Sequence, residues 1–222
     1  MPTERNSVQT EHITKLRQTL TAQDLVCVRG GREVFRGVSF EIASGETLLI
    51  KGPNGAGKSS LLRAIAGLCR LSEGSLNFAH DAATGEDEGS IPSQCHYFGH
   101  SDALKSALTV SENLQFWHEF MGQPAQPVTD ALVEMGLDHL GDIPAAYLSA
   151  GQKRRLSLAR LLVSHRPIWL LDEPSAALDA SSEQRLLALM DNHVAQGGII
   201  LAATHLPLKV SHAKELRLEA PQ

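Results

Sequence analysis

Eight consecutive residues, Gly52-Pro53-Asn54-Gly55-Ala56-Gly57-Lys58-Ser59, have the spacing G-x-x-x-x-G-K-[ST]. In such a loop the glycines let main-chain N–H groups approach phosphate oxygens without a Cβ in the way. A helix starting at the lysine adds free N–H groups and the positive end of its dipole, with Ser60 in the same cradle. Lys58 is then placed for β- and γ-phosphates, and the Ser59 hydroxyl for Mg²⁺. A second group, Asp172-Glu173, closes the apolar run Ile168-Trp169-Leu170-Leu171. Acids at the C-terminal end of a strand lie where parallel α/β sheets bind ligands. Asp172 suits a metal, through water, and Glu173 suits a general base, a role worth roughly 10²–10⁴-fold in rate. A third group, Leu148-Ser149-Ala150-Gly151-Gln152, opens a helix that carries Lys153, Arg154, Arg155 and Arg160. The Ser149 hydroxyl and the helix-start N–H groups suit another phosphate, whereas Lys153 and Arg154 are expected on a solvated face. His205 follows the run Ile199–Ala203 and Thr204, which places its imidazole at the same sheet edge as Glu173.

These groups need a frame. Leu25–Val28 and Val38–Ile42 alternate like strands around Arg29-Gly30-Gly31-Arg32, a hairpin signal. Thr47–Lys51 reads as a buried strand feeding the phosphate loop. After it, Leu61, Leu62, Ile65 and Leu68 recur at helical spacing. Strands are predicted at Ser75–Phe78, His96–Phe98, Ile168–Leu171 and Ile199–Ala203. Helices are predicted at Thr109–Phe120, Thr129–Met135, from about Ala150, and at Gln184–His193. Asp81–Ser90 reads as a solvated hairpin tip and residues 1–20 as a polar tail. Residues 21–222 then form one α/β domain with a helical insertion at about 101–150.

The chain has 222 residues, 42% hydrophobic and 20% charged, enough for one substantial globular domain. Its net charge of −5 argues against general nucleic-acid binding. No apolar run reaches the roughly 18 residues needed to span a bilayer, and the mixed polar start predicts no secretory signal. Cys27, Cys69 and Cys95 are far apart in sequence and form no C-x-x-C pair, so reduced thiols are expected.

The ordered set resembles the ATP-binding cassette (ABC) ATPase domain, from about residue 21 to 218. Within that group it is most similar to the ATP-binding subunit of the bacterial cytochrome c maturation haem exporter, the CcmA family. The resemblance rests on Arg29–Arg32, Phe98-Gly99-His100-Ser101-Asp102-Ala103-Leu104-Lys105, Leu108-Thr109-Val110-Ser111-Glu112-Asn113-Leu114 and Thr204-His205-Leu206-Pro207. It implies an α/β P-loop fold with a mixed sheet core, an antiparallel β subdomain and an inserted α-helical subdomain. It also implies ATP and Mg²⁺, and a homodimer in which Ser149, Gly151 and Gln152 of one chain close over the γ-phosphate held by the other, with Asp179 at the seam. Integral membrane permease subunits, cytochrome c maturation proteins, are the implied partners, and the chain is placed peripherally on the cytoplasmic face of the inner membrane. Two positions depart from the usual cassette. Arg29 stands where an aromatic residue stacks on adenine, and a guanidinium can stack on a purine. His100 stands where a glutamine senses metal and the transport partner.

The competing reading is a soluble cassette ATPase acting on DNA or ribosomes. DNA-repair cassettes carry long coiled coils between the two signatures, and the stretch from His100 to Leu148 is short and lacks sustained heptads. Ribosome-acting types usually hold two cassettes, and this chain has one. A small-molecule kinase would share the phosphate loop but would not need Leu148–Gln152.

Overall fold

The computed structural model describes residues 17–80, 90–176, 178–205, 208, 210 and 213–219. Most of the expected polar tail and hairpin tip lie outside these residues. Where the tail was expected to run to residue 20, strand β1 (Gln18–Arg29) already begins at Gln18, because Leu20 is fully buried. β1 pairs antiparallel with β2 (Arg32–Ala43) through the Gly30-Gly31 turn, and on its other side with β4 (Glu73–His80).

Five strands form the second sheet, in the order β5-β6-β7-β3-β8: β3 (Thr47–Lys51), β5 (Cys95–Phe98), β6 (Ile168–Asp172), β7 (Ile199–Ala203) and β8 (Ala213–Arg217). Every pairing in it is parallel. The fold is therefore α/β with both kinds of sheet, as the resemblance implied. The central strands read as unbroken apolar runs because both faces are covered. Along β6 and β7, Trp169, Leu171, Ile200 and Ala202 face the helical side. Ile168, Leu170, Ile199, Leu201 and Ala203 face a second core shared with the antiparallel sheet and helix α1 (Lys58–Ile65). Each such Leu or Ile contributes about 1.5–3 kcal/mol on burial.

The insertion holds α2 (Val110–Met121) and α3 (Val128–Glu134), which pack against each other and against α4 (Ala150–Val163). A capping box fixes the start of α2: Thr109 accepts from the Glu112 N–H, and the Glu112 carboxylate accepts from the Thr109 N–H. Inside the bend before α2, buried Asn113 bonds the main chain of Lys105, Leu108 and Thr109. Helix α5 (Ala180–Ala195) completes the frame. Strand β8 has no counterpart in the sequence reading. The thiols of Cys27 and Cys69, 42 residues apart, come within 3.6 Å.

Candidate active site

The phosphate loop joins the C-terminal end of β3 to α1. Gly57 caps that helix at φ 91°, and a Cβ there would come within 3.0 Å of Val34 and Phe35 of the hairpin. A Cβ on Gly52 would fall 2.3 Å from the Leu218 carbonyl, so β8 and its exit also require glycine at the loop's first position. The loop is thus clamped between hairpin and sheet. Lys58 is 8% exposed and folds back, donating to Gly52 O at 2.8 Å and Pro53 O at 3.0 Å. An ammonium has three donors, so one remains for a ligand. Gly57 offers no side-chain cap, which leaves the first-turn N–H groups of α1 without one.

Ser59, the next residue of α1, donates to Asp172 Oδ1 at 2.8 Å. The sheet brings together two residues 113 positions apart, and both present oxygen. A hydroxyl beside a carboxylate fits a hard cation such as Mg²⁺, which usually takes one or two protein ligands and completes its shell with phosphate and water. The second carboxylate oxygen of Asp172 faces the Tyr97 hydroxyl at 3.4 Å, and that hydroxyl accepts from Arg63 Nε at 3.1 Å. Burial pushes the Tyr97 phenol above its ordinary pKa, which keeps it a donor.

Glu173 leaves the strand in the left-handed region, at φ 49°. A non-glycine residue there costs roughly 1–3 kcal/mol and persists only where its surroundings over-determine it. They do so here. Its N–H donates to Ala203 O at 2.8 Å, and its carbonyl accepts from the Arg154 guanidinium at 2.6 Å. The turn aims the carboxylate at His205, whose Nδ1 lies 3.0 Å from Oε1. The His205 N–H reaches the other carboxylate oxygen at 3.4 Å. The two residues, 32 apart, meet because β6 and β7 are neighbours in the sheet.

The other expected residues lie around this centre. Ser149 and Gln152 form a capping box on α4: the Gln152 N–H donates to Ser149 Oγ at 3.2 Å, and the Ser149 N–H to Gln152 Oε1 at 2.8 Å. Ser149 is exposed and Gly151 half-buried at the helix start, and the box spends its bonds inside the motif. Asp179 caps α5 through the Ser182 N–H, and its bonds to Ser182 and Ser181 hold its carboxyl below the usual range. Arg29 is exposed opposite Arg32 at the hairpin tip. His100 is exposed on the wall of a groove of about 440 Å³ between α1, β5 and α2. Trp117 and Met121 line that groove too, with the exposed rings of Phe116 and Phe120 beside Trp117.

Arg154 departs from expectation. It is 4% exposed, with its guanidinium 3.9 Å from the centroid of the Phe98 ring. The signal was in the helix itself: Arg154 shares a face with Leu158 and Leu161, at i+4 and i+7, and both are buried. Tyr97 and Arg63 were missed because nothing in sequence pairs them with Asp172.

The sequence pattern of the ABC transporter family matches residues 35–176. The cytochrome c biogenesis ATP-binding export protein CcmA of Nitrobacter winogradskyi is 55% identical over 199 residues, which cover 90% of this chain and 97% of that one. The corresponding protein of Rhodopseudomonas palustris is 53% identical, with 90% and 98% covered. The chain belongs to the CcmA family of ABC transporter proteins. Like other ABC ATP-binding domains, this CcmA-family chain binds ATP and is an ATPase. Among solved structures, an ATP-binding subunit of an ABC transporter superposes with a TM-score of 0.76 at 25% identity, covering 90% of this chain and 87% of that one. A bacterial Atm1-family ABC exporter with ATP bound gives 0.75 at 25% identity; 91% of this chain matches 38% of that longer one. No helix of the described residues is long and apolar enough to cross a membrane.

Proposed function

We propose that this chain is the nucleotide-binding subunit of a membrane ABC complex that drives haem export, or release of a haem carrier, in cytochrome c biogenesis. The identity of 55% across nearly the whole length of a cytochrome c biogenesis export protein carries this reading. The residues supply the chemistry expected of such a subunit. Gly52–Ser60 wrap the phosphates of ATP, with main-chain N–H groups and the Lys58 ammonium on the oxygens. Bound Mg²⁺ would neutralise charge between the phosphates, and Ser59 and Asp172 are the groups that would hold it, Asp172 through water. Glu173 orients a water and accepts its proton. His205 fixes the Glu173 carboxylate on one side and faces the γ-phosphate on the other. Arg29 stacks on the base.

Hydrolysis needs a second copy. Ser149, Gly151 and Gln152 of one chain close over the γ-phosphate of its partner, with Asp179 at the seam, and the cycle of closing and opening moves the permease. The groove beside His100 takes an apolar segment of that permease. Its apolar rim is exposed, Phe120 by 68% and Leu68 by 65%, more than a solvated face needs. Beside it Phe116 is 39% exposed, whereas Leu104 packs partly against the helical core. This docking places the chain peripherally at the cytoplasmic face of the inner membrane.

Gentle detergent extraction of the tagged chain from its native membranes tests the assignment. Multi-spanning cytochrome c maturation proteins are expected to co-purify. A different permease would remove haem and keep the ATPase role; ribosomes or DNA with no membrane protein would overturn the transport reading.

A further inference from the structure

Arg154 sits on the signature helix, two residues beyond Gln152, and reaches across to the ends of two strands. One nitrogen, Nη1, donates to Gly99 O at 2.9 Å and lies 3.4 Å from Asp102 Oδ1. The other, Nη2, donates to Glu173 O at 2.6 Å and meets Asp172 O at 3.4 Å. Burial of a guanidinium is costly, and it lowers the Arg154 pKa despite the acids around it. A planar fork with fixed donor directions can hold carbonyls from two separate segments in one geometry, which the single nitrogen of a flexible lysine does not reproduce. Its two shortest bonds go to the residue just before His100 and to Glu173 itself, where the main chain is left-handed.

We propose that Arg154 is a positioning residue for ATP hydrolysis, holding Glu173 in its left-handed conformation and tying it to the Gly99–Asp102 wall of the groove. Displacement of that wall by a bound segment is passed through one rigid guanidinium to the Glu173 carboxylate and, along α4, to Ser149 and Gln152. This rests on the reading of Glu173 as the base and of the groove as the permease contact.

The test uses the purified chain and the membrane complex it co-purifies with. Arg154→Gln is expected to lower kcat about tenfold to a hundredfold, as misplacement of a reacting group does. KM for ATP should stay within about twofold, and stimulation by the membrane partner should be lost. Arg154→Lys keeps the charge and can bond one carbonyl; its thermal midpoint should approach that of the unaltered protein while kcat stays low. Asp102→Asn alters only the partly exposed loop end and should reduce the ratio of partner-stimulated to basal rate. Normal kcat per bound nucleotide in both Arg154 variants would reduce the residue to a core staple and overturn the proposal, as would an unchanged ratio in Asp102→Asn. Glu173→Gln serves as the control. If that variant hydrolyses ATP normally, the reading of Glu173 has failed, independently of Arg154.

Discussion

The two ends of the parallel sheet use the same residue type in opposite ways. At the C-terminal end, His205 is 60% exposed and its imidazole meets a carboxylate held by a strained main chain. At the N-terminal end, three histidines bond carbonyls at the end of α4 and in its short connection to β6. His96 meets Ser164 O at 2.7 Å, His118 meets Val163 O at 2.9 Å, and His193 meets Pro167 O at 3.2 Å. His193 also stacks on Trp169 at 3.9 Å. Burial pushes His96 down to about 3 and His193 to about 4, so both stay neutral donors at physiological pH. At one end the imidazole meets a carboxylate on a strained main chain; at the other the three imidazoles satisfy main-chain carbonyls. With Glu173 and His205 proposed as the hydrolytic pair, catalysis and stability fall to different ends of the same strands.

The largest expected effect separates the ends outright. His205→Ala should lower hydrolysis by about 10²–10⁴-fold with little change in thermal midpoint, because the side chain is mostly exposed. His96→Ala should do the reverse. The cavity and the orphaned Ser164 carbonyl should cost about 2–4 kcal/mol, read by urea unfolding, with kcat per folded molecule unchanged. A stability loss in the first variant or a rate loss in the second would break the comparison.

A smaller, graded effect follows from pH. For a histidine whose folded pKa is depressed, the unfolded chain binds the proton first, so stability is complete above about pH 6.5 and falls as pH drops toward the folded value. His96 and His193 should each remove up to about 1.4 kcal/mol per pH unit through that window. Urea midpoints between pH 6.5 and 4.5 should therefore fall steeply, and His193→Phe, which keeps the ring against Trp169, should flatten the slope. A slope unchanged by that substitution would mean His193 is not the titrating group.

The smallest effect sharpens the C-terminal end. Tyr97→Phe removes the hydroxyl between Arg63 and Asp172. It should weaken the gain in ATP affinity on adding Mg²⁺ by only a few-fold, measured by calorimetry with a non-hydrolysable analogue. No change would place Asp172 under the control of Ser59 alone.

What the sequence made legible follows the same division. The phosphate loop, the acidic pair and the strands that carry them were readable because each is local: a fixed spacing, or an apolar run covered on both faces. Strand β8 was not. Ala213-Lys214-Glu215-Leu216-Arg217 has three charged residues, all exposed, and becomes a strand by pairing with β3, aided by the Lys51–Glu215 and Lys214–Glu46 ion pairs. The role of Arg154 was hidden because its partners are main-chain carbonyls, which leave no trace in residue type. That His205 and Glu173 share a sheet edge was expected from their places after two apolar runs, and the adjacency and register of β6 with β7 supply the contact.

The central claim is that one chain carries a complete hydrolytic end and needs only a second copy to close it. Light scattering of Glu173→Gln with saturating ATP and Mg²⁺ tests this most directly. The account predicts a nucleotide-dependent dimer that holds unhydrolysed ATP and dissociates when nucleotide is removed. A variant that stays monomeric, or that hydrolyses ATP at the unaltered rate, would contradict it.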